Sequence, residues 1–411
     1  MPETRLRIAV RKFTDFENAL AEQAALYRES HPGVLLEAVP LDLHDLHAEL
    51  FELDGLRSGK WDIGYLVTDW LAEAVQNNLI EDLTLYLRNK PIPDWPQGWA
   101  RSIVEPLYFD GKLYTLPWHD GPECLIYRRD LFENSKEQEA FRAEYGYPLA
   151  PPVTWLQFAD VARFFTRPEK NQYGTMFAAF PDGHNTLYDF ALQLWSRGGE
   201  LEDGQGNALL DTPNGIAALD FYRNTIRDAS ICYPGAEQLD STRSGDVFLS
   251  GAVAMMVNWF GFAARCDRPG SPLSGKVAIA PIPAEEGIPA TSLSVFWTLG
   301  IGAGSQHKQT AFDFLQFLTQ PELDKGIVKH GTVGVRLSTW RDPEIQKQAP
   351  AYKKIEEISL GARRLPRSRN LPAFAALVND VVASALATSE TSANILKKAQ
   401  QSITAQKIAF Q

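Results

Sequence analysis

Near the amino terminus the apolar positions alternate between two periods. Leu6, Ile8 and Val10 stand two apart, as in a half-buried strand; Phe16, Ala19, Leu20, Ala24 and Tyr27 then recur at helical spacing. His31-Pro32-Gly33 stops that helix, and 34–39 returns as a second strand. A helix over 43–58 and a third strand over 62–67 follow. This alternation predicts an α/β chain with a mostly parallel sheet covered by helices. Ligands of such sheets sit outside the carboxyl ends of the strands. That places Arg11-Lys12 and Thr68-Asp69-Trp70 in loops on one rim.

The pattern changes near residue 108. Asp110-Gly111 is a hairpin turn signal between 107–109 and 113–115. Pro117-Trp118-His119-Asp120-Gly121 follows, then a strand-like run over 123–127. Helical stretches are expected over 154–165, with Thr154 as N-cap, and over 186–197 and 213–228. An apolar element spans 252–257, strands are expected near 277–280 and 295–301, and a helix over 309–318. The remainder, 340–411, reads as helical apart from an Arg/Pro-rich stretch at 363–372. No internal repeat or flexible linker interrupts the chain. Without one, two domains of this size are expected to be joined by several crossings, which is how a hinged clamp is built.

Composition narrows the function classes. The chain has 411 residues, too many for one ordinary core. With 51 acidic against 40 basic residues its net charge is −11, so a polyanion such as DNA meets net repulsion, and no dense Lys/Arg run relieves it. Nucleic acid is therefore not an expected partner. Cys124, Cys232 and Cys266 are too few for a disulfide framework and have no CxxC spacing; one pair or three buried thiols are both open. No apolar run reaches the length of about 18 residues that spans a membrane. The chain enters its first strand with no basic and apolar leader ahead of it. That reads either as a cytosolic chain or as a mature secreted one with Met1 where a leader was cut.

Several segments in consistent order over about 60–400 resemble one family. They are Trp61-Asp62-Ile63-Gly64 continuing to Trp70, Asn78-Leu79-Ile80-Glu81-Asp82-Leu83, and the run from Tyr108-Phe109-Asp110-Gly111-Lys112-Leu113-Tyr114 through Tyr127-Arg128-Arg129-Asp130-Leu131-Phe132. Pro152-Val153-Thr154-Trp155, Gly198-Gly199-Glu200-Leu201, Phe248-Leu249-Ser250-Gly251 with Ala254-Met255-Met256, and a late helix over 311–318 complete the set. The chain is similar to the extracellular solute-binding proteins of family 1, the carbohydrate-binding group of ABC importers. The resemblance implies a type II periplasmic-binding-protein fold, with two lobes around a hinged cleft. Lobe one is expected to hold 1–116 plus 285–335 and lobe two 117–284 plus 336–411, with crossings near 116–124, 281–294 and 331–338. It also implies a non-enzymatic monomer, periplasmic or extracellular, that passes a small carbohydrate to a membrane permease without a cofactor. Ser294-Val295-Phe296-Trp297 departs from the small residues that the family often carries ahead of this tryptophan.

A sugar presents apolar C–H faces and a ring of hydroxyls, so its site needs aromatic plates and planar polar groups. Among ten Trp, most of them expected in the core, Trp70, Trp118 and Trp259 are the candidate plates, with Trp297 open between ligand contact and hinge packing. Asp69 and Asp120 are candidate acceptors for hydroxyl pairs, and Asn258 and Phe260 flank Trp259. Asn185, in Gly183-His184-Asn185-Thr186, fits a helix cap and a ligand contact equally. Arg11, Lys12, His119 and Arg336 sit at expected strand ends or crossings. If Arg11, His119 and Arg336 converge, the ligand is an anionic derivative such as a sugar acid, sulfonate or phosphate; otherwise it is a neutral sugar, glycoside or polyol.

Enzyme signatures are weak by comparison. The sequence holds no GxSxG elbow, P-loop, HExxH or GxGxxG after a strand. A glycoside hydrolase with Asp69 and Asp120 as its two carboxylates is the remaining alternative. His44 and His47 share one helix face but have no evident third partner, so no metal site is expected.

Overall fold

A computed structural model describes residues 3–182, 184–268 and 270–410. The chain divides into two compact units, residues 1–121 with 295–348 and residues 122–294 with 349–411. It passes between them after Gly121, Ser294 and Gln348. Residues 285–294 and 336–348, and with them the short run 117–121, thus fall in the opposite units from those expected above. The second shift has a local cause: Arg336 and Trp340 are buried in unit 1, where Arg336 donates to Thr319 O at 2.7 Å and Trp340 Nε1 to Gly334 O at 2.7 Å.

Unit 1 is built on a five-stranded sheet in the order Val34–Leu41, Thr4–Arg11, Ile63–Val67, Trp297–Ile301, Thr115–His119. In Thr4–Arg11 the apolar Leu6, Ile8 and Val10 are buried while Arg5 and Arg7 reach the surface, the period-2 pattern of a half-covered strand. Ile63–Val67 is buried throughout, as a central strand must be. Pro40 stands in the outermost strand, Val34–Leu41, where a missing N–H is tolerated. The first three strands run parallel, as expected. Trp297–Ile301 runs antiparallel to both its neighbours, so the sheet is mixed rather than mostly parallel. The cause is connectivity: Thr115–His119 is the last strand before the chain leaves the unit and Trp297–Ile301 the first after it re-enters, and the two lie side by side. The helix Thr14–Ser30 covers the sheet through Phe16, Ala19, Leu20 and Tyr27. The helix expected over 43–58 is shorter, Leu43–His47 followed by a wider π-type turn at Ala48–Glu52. In the Tyr108–Phe109/Lys112–Leu113 hairpin, Asp110 and Gly111 both take positive φ, 49° and 77°, as a tight two-residue turn requires.

Unit 2 holds a three-stranded antiparallel sheet, Met255–Trp259, Glu123–Arg128, Val277–Ala280, surrounded by helices. The helix Trp155–Phe165 starts where Thr154 accepts a hydrogen bond from the Gln157 amide, and it buries Trp155, Phe158, Val161, Ala162 and Phe165 on one face. Helix Asn185–Trp195 is buried on every side. Helices Pro213–Arg227 and Leu371–Ala387 pack on it, and Ser392–Gln406 packs on both of those. All three cysteines are buried and free, so the disulfide left open by the sequence does not form. No helix among the described residues is long and apolar enough to cross a membrane.

Candidate functional site

In unit 1 the strand register gathers most of the candidate residues at one rim. Trp297 pairs with Val67 on one side and with His119 on the other, and Arg11 ends the first strand at the same edge. Thr68 closes the rim: its amide donates to Phe296 O at 3.0 Å and its Oγ1 accepts from the Phe296 amide at 3.2 Å. Asp69 and Trp70 follow in a single turn, Thr68–Trp70. Asp69 is half-buried there.

The aromatic residues of this rim divide into core and surface. Trp118 is 3% exposed, donates Nε1–H to Gln23 Oε1 at 3.0 Å, and meets Phe16 and Tyr65 at ring distances of 5.1 and 5.0 Å. It is a core side chain rather than an open plate, enclosed by Phe16 of the covering helix and Tyr65 of the sheet. Trp70 is also buried, at right angles to Trp297 and wedged against His47 and Phe51. Trp297 stays half-buried, so of the two it is the one that reaches the surface.

The proposed cationic trio does not form an anion clamp. Arg336 is 1% exposed: it donates to Thr319 O, pairs with Asp94, and lies 4.1 Å over the Trp99 ring, all within unit 1. His119 accepts the Val333 amide on Nδ1 at 2.9 Å. Burial pushes its pKa down to about 3, so the ring is neutral near pH 7 with its proton on Nε2. It can donate to a hydroxyl but brings no charge. The Asp45 amide holds the Asp42 carboxyl below its ordinary range, with the Arg11 charge adding to the effect, and Lys12 is exposed.

Asp120 is the unusual group of unit 1. It is fully buried, and neither carboxylate oxygen has a hydrogen-bond partner of good geometry. Burial pushes its pKa up to about 7, and the nearby Gly121 amide offsets this only in part.

Unit 2 presents a second group of polar and aromatic residues. Strand register sets Glu123 opposite Trp259. Trp259 is half-buried and meets Tyr188 edge-on, 5.6 Å away at 87°. Tyr188 and Asp189 are consecutive on the buried helix Asn185–Trp195, and Asp189 accepts the Tyr222 hydroxyl at 2.8 Å. Burial raises the Glu123 carboxyl well above its ordinary range, with the Asp189 charge adding to the effect. Burial also pushes Asp189 up to about 7. Glu123 Oε2 is buried without a partner, and neither acid has an ion pair among the described residues.

The other residues expected here have structural partners. Asn258 donates to Ser241 O and Ser244 Oγ and accepts the Trp259 amide, which holds the strand end in place. Phe260 is fully buried against Tyr352. Asn185 is the first residue of its helix and bonds to Asp182, whose carboxylate accepts the His184 and Asn185 amides just ahead of that helix. Gly183 lies outside the described residues.

Sequence reasoning missed Glu123, Tyr188 and Asp189. A signal existed for both acids: each is a lone carboxylate inside an apolar run, Glu123 ahead of Cys124-Leu125-Ile126 and Asp189 between Tyr188 and Phe190.

The model of the bacterial extracellular solute-binding protein family matches residues 14–325. A probable ABC transporter-binding protein of Deinococcus radiodurans is 27% identical over 274 residues, 64% of this chain; the chain spans 61% of that relative's length. Among solved structures, maltose-bound MalE3 of T. maritima superposes with a TM-score of 0.85 at 22% identity, covering 98% of this chain and 100% of that one. A solute-binding protein of Agrobacterium radiobacter K84 in complex with ribitol also gives 0.85 at 22% identity, covering 98% and 99%. Likeness at this level shows a shared fold, the type II periplasmic-binding-protein fold.

Proposed function

Because the chain belongs to the bacterial extracellular solute-binding protein family, and is therefore a binding protein and not an enzyme, we propose that it captures a small carbohydrate or polyol for an ABC importer. It would do so as a monomer in the periplasm or outside the cell, handing the solute to a membrane permease. The solved relatives bound to maltose and to ribitol support that ligand class.

The observation that carries the reading is that each unit sets a half-buried tryptophan beside buried or half-buried polar groups. In unit 1 these are Trp297, Asp69, the neutral His119 and Asp120; in unit 2 they are Trp259, Tyr188, Glu123 and Asp189. Indole faces suit the C–H faces of a sugar, and carboxyl and imidazole groups suit its hydroxyls. Arg11 and Lys12 remain rim candidates. An anionic derivative has less to grip, since Arg336 is tied to Asp94 and Thr319 and His119 carries no charge.

A thermal-shift screen over sugars, polyols and sugar acids, followed by calorimetry on the best ligand, tests this. A neutral sugar or polyol should raise the melting temperature. Trp259→Ala should weaken its binding about tenfold or more, on the scale of removing one anchoring aromatic. Trp118→Ala should instead lower stability. A screen in which no solute shifts the protein, or turnover of a chromogenic glycoside, would sink the reading.

A further inference from the structure

The two acids of unit 2 stand without a counter-charge among the described residues. Glu123 is 4% exposed and Asp189 6%, and neither has a Lys, Arg or His partner among the described residues. Tyr222 satisfies one oxygen of Asp189, and no described residue satisfies Oε2 of Glu123. Burying a carboxylate without a cation is among the most unfavourable arrangements in a protein interior. The backbone offers no escape, because Glu123 is fixed in a strand whose carbonyl accepts the Ser292 hydroxyl. Beside this acid pair lies an aromatic corner: Trp259 sits opposite Glu123 in the sheet and meets Tyr188 edge-on. Tryptophan is the strongest of the aromatic faces for a cation.

We propose that Glu123, Asp189 and the Trp259–Tyr188 corner recognise a protonated amine, so that the solute is an aminodeoxy sugar or an aminopolyol. An ammonium group supplies both the charge that the two carboxylates lack and the hydrogen-bond donors that Glu123 Oε2 lacks, while the indole face holds its flanking carbons. The rival arrangement keeps a proton on the acid pair, which then bonds to hydroxyls. The proposal rests on the carbohydrate or polyol reading above and refines it.

Matched pairs separate the two arrangements: glucose and glucosamine, galactose and galactosamine, ribitol and 1-amino-1-deoxyribitol, sorbitol and 1-amino-1-deoxysorbitol, each titrated by calorimetry at pH 7. The expected result is at least one pair in which the amine binds about tenfold tighter or more, the scale of a desolvated charge contact. Glu123→Gln should then lower the ratio of amine to hydroxyl affinity by about tenfold. Trp259→Leu, which leaves both acids in place, should lower the same ratio if Glu123→Gln does not fold. Hydroxyl members that bind as well as or better than their amines in every pair overturn this inference and leave the carbohydrate reading standing. So does a Glu123→Gln or Trp259→Leu variant that weakens both members equally. A panel in which neither member of any pair binds overturns both.

Discussion

Arg336→Ala is expected to destabilise unit 1 by about 3 kcal/mol or more, the scale of breaking a buried charge arrangement, with little effect on ligand affinity in the protein that remains folded. The guanidinium is enclosed by groups that depend on it. Its loss strands the Thr319 carbonyl, uncovers the Trp99 face over which it lies at 4.1 Å, and removes a cross-link from residue 336 to residues 94 and 319. A buried cation over an indole contributes about 2 kcal/mol when desolvated, and an orphaned carbonyl costs about 1–3 kcal/mol. Asp94 is half-exposed, so it can be rehydrated and adds little. For a domain of this size each kcal/mol lowers the melting temperature by about 2–4 °C, so the transition of unit 1 should fall by roughly 6 °C or more. Arg336→Met, which keeps the packing of the stem, should recover part of the loss; Arg336→Lys should recover less than an isosteric argument suggests, because one ammonium cannot bond as a fork. Urea melts of the three variants beside ligand titrations decide the matter. A fully stable Arg336→Ala variant with affinity reduced by orders of magnitude would return Arg336 to the ligand site.

The contrast between Arg336 and Trp297 shows what the sequence makes legible. Helix and strand positions were readable because period and stop signals are local: Thr154 caps its helix, Asp110-Gly111 turns its hairpin, and His31-Pro32-Gly33 ends the first helix where the pattern implies. The antiparallel direction of Trp297–Ile301 was not, because it depends on where the chain re-enters unit 1 after a long excursion. The site divides in the same way. Residues at strand ends, such as Asp69, His119, Asp120 and Trp297, came to one rim because the ends of their strands share one edge of the sheet. Whether a tryptophan there is a plate or a plug is decided by partners far along the chain. Trp118 is closed off by Gln23 and Phe16, and Arg336 is claimed by Asp94. Spacing within a motif carries no information about such partners.

Asp120→Asn is expected to stabilise the ligand-free protein at pH 8 and to flatten its pH profile. Asp120 is fully buried with no hydrogen-bond partner of good geometry on either oxygen, and its pKa in the folded protein is about 7 against an ordinary 3.8. The folded state therefore holds a proton between about pH 4 and 7 that the unfolded chain has already released. Stability linked to this group is highest below pH 4, falls as pH rises towards 7, and stays low above it. A shift of this size corresponds to about 4 kcal/mol at most, at about 1.4 kcal/mol per pH unit. Asparagine has the same shape and does not titrate. Its amide remains short of partners and costs about 1–3 kcal/mol at every pH, so the net gain at pH 8 should be about 1–3 kcal/mol and should reverse to a loss near pH 4.5. His119 tilts the raw profile the other way. Its folded pKa of about 3 lies below the ordinary 6.5, so its contribution is present above pH 6.5 and is lost as pH falls towards 3. That slope is common to wild type and variant and cancels in their difference. Urea melts of both proteins at half-unit steps from pH 4.5 to 8 give the difference directly, and parallel curves would show that Asp120 is ionised and solvated in the folded protein. If the variant gains stability and also binds the solute less well, the buried acid is a strained group kept for ligand contact, the trade-off found where function requires an unfavourable side chain.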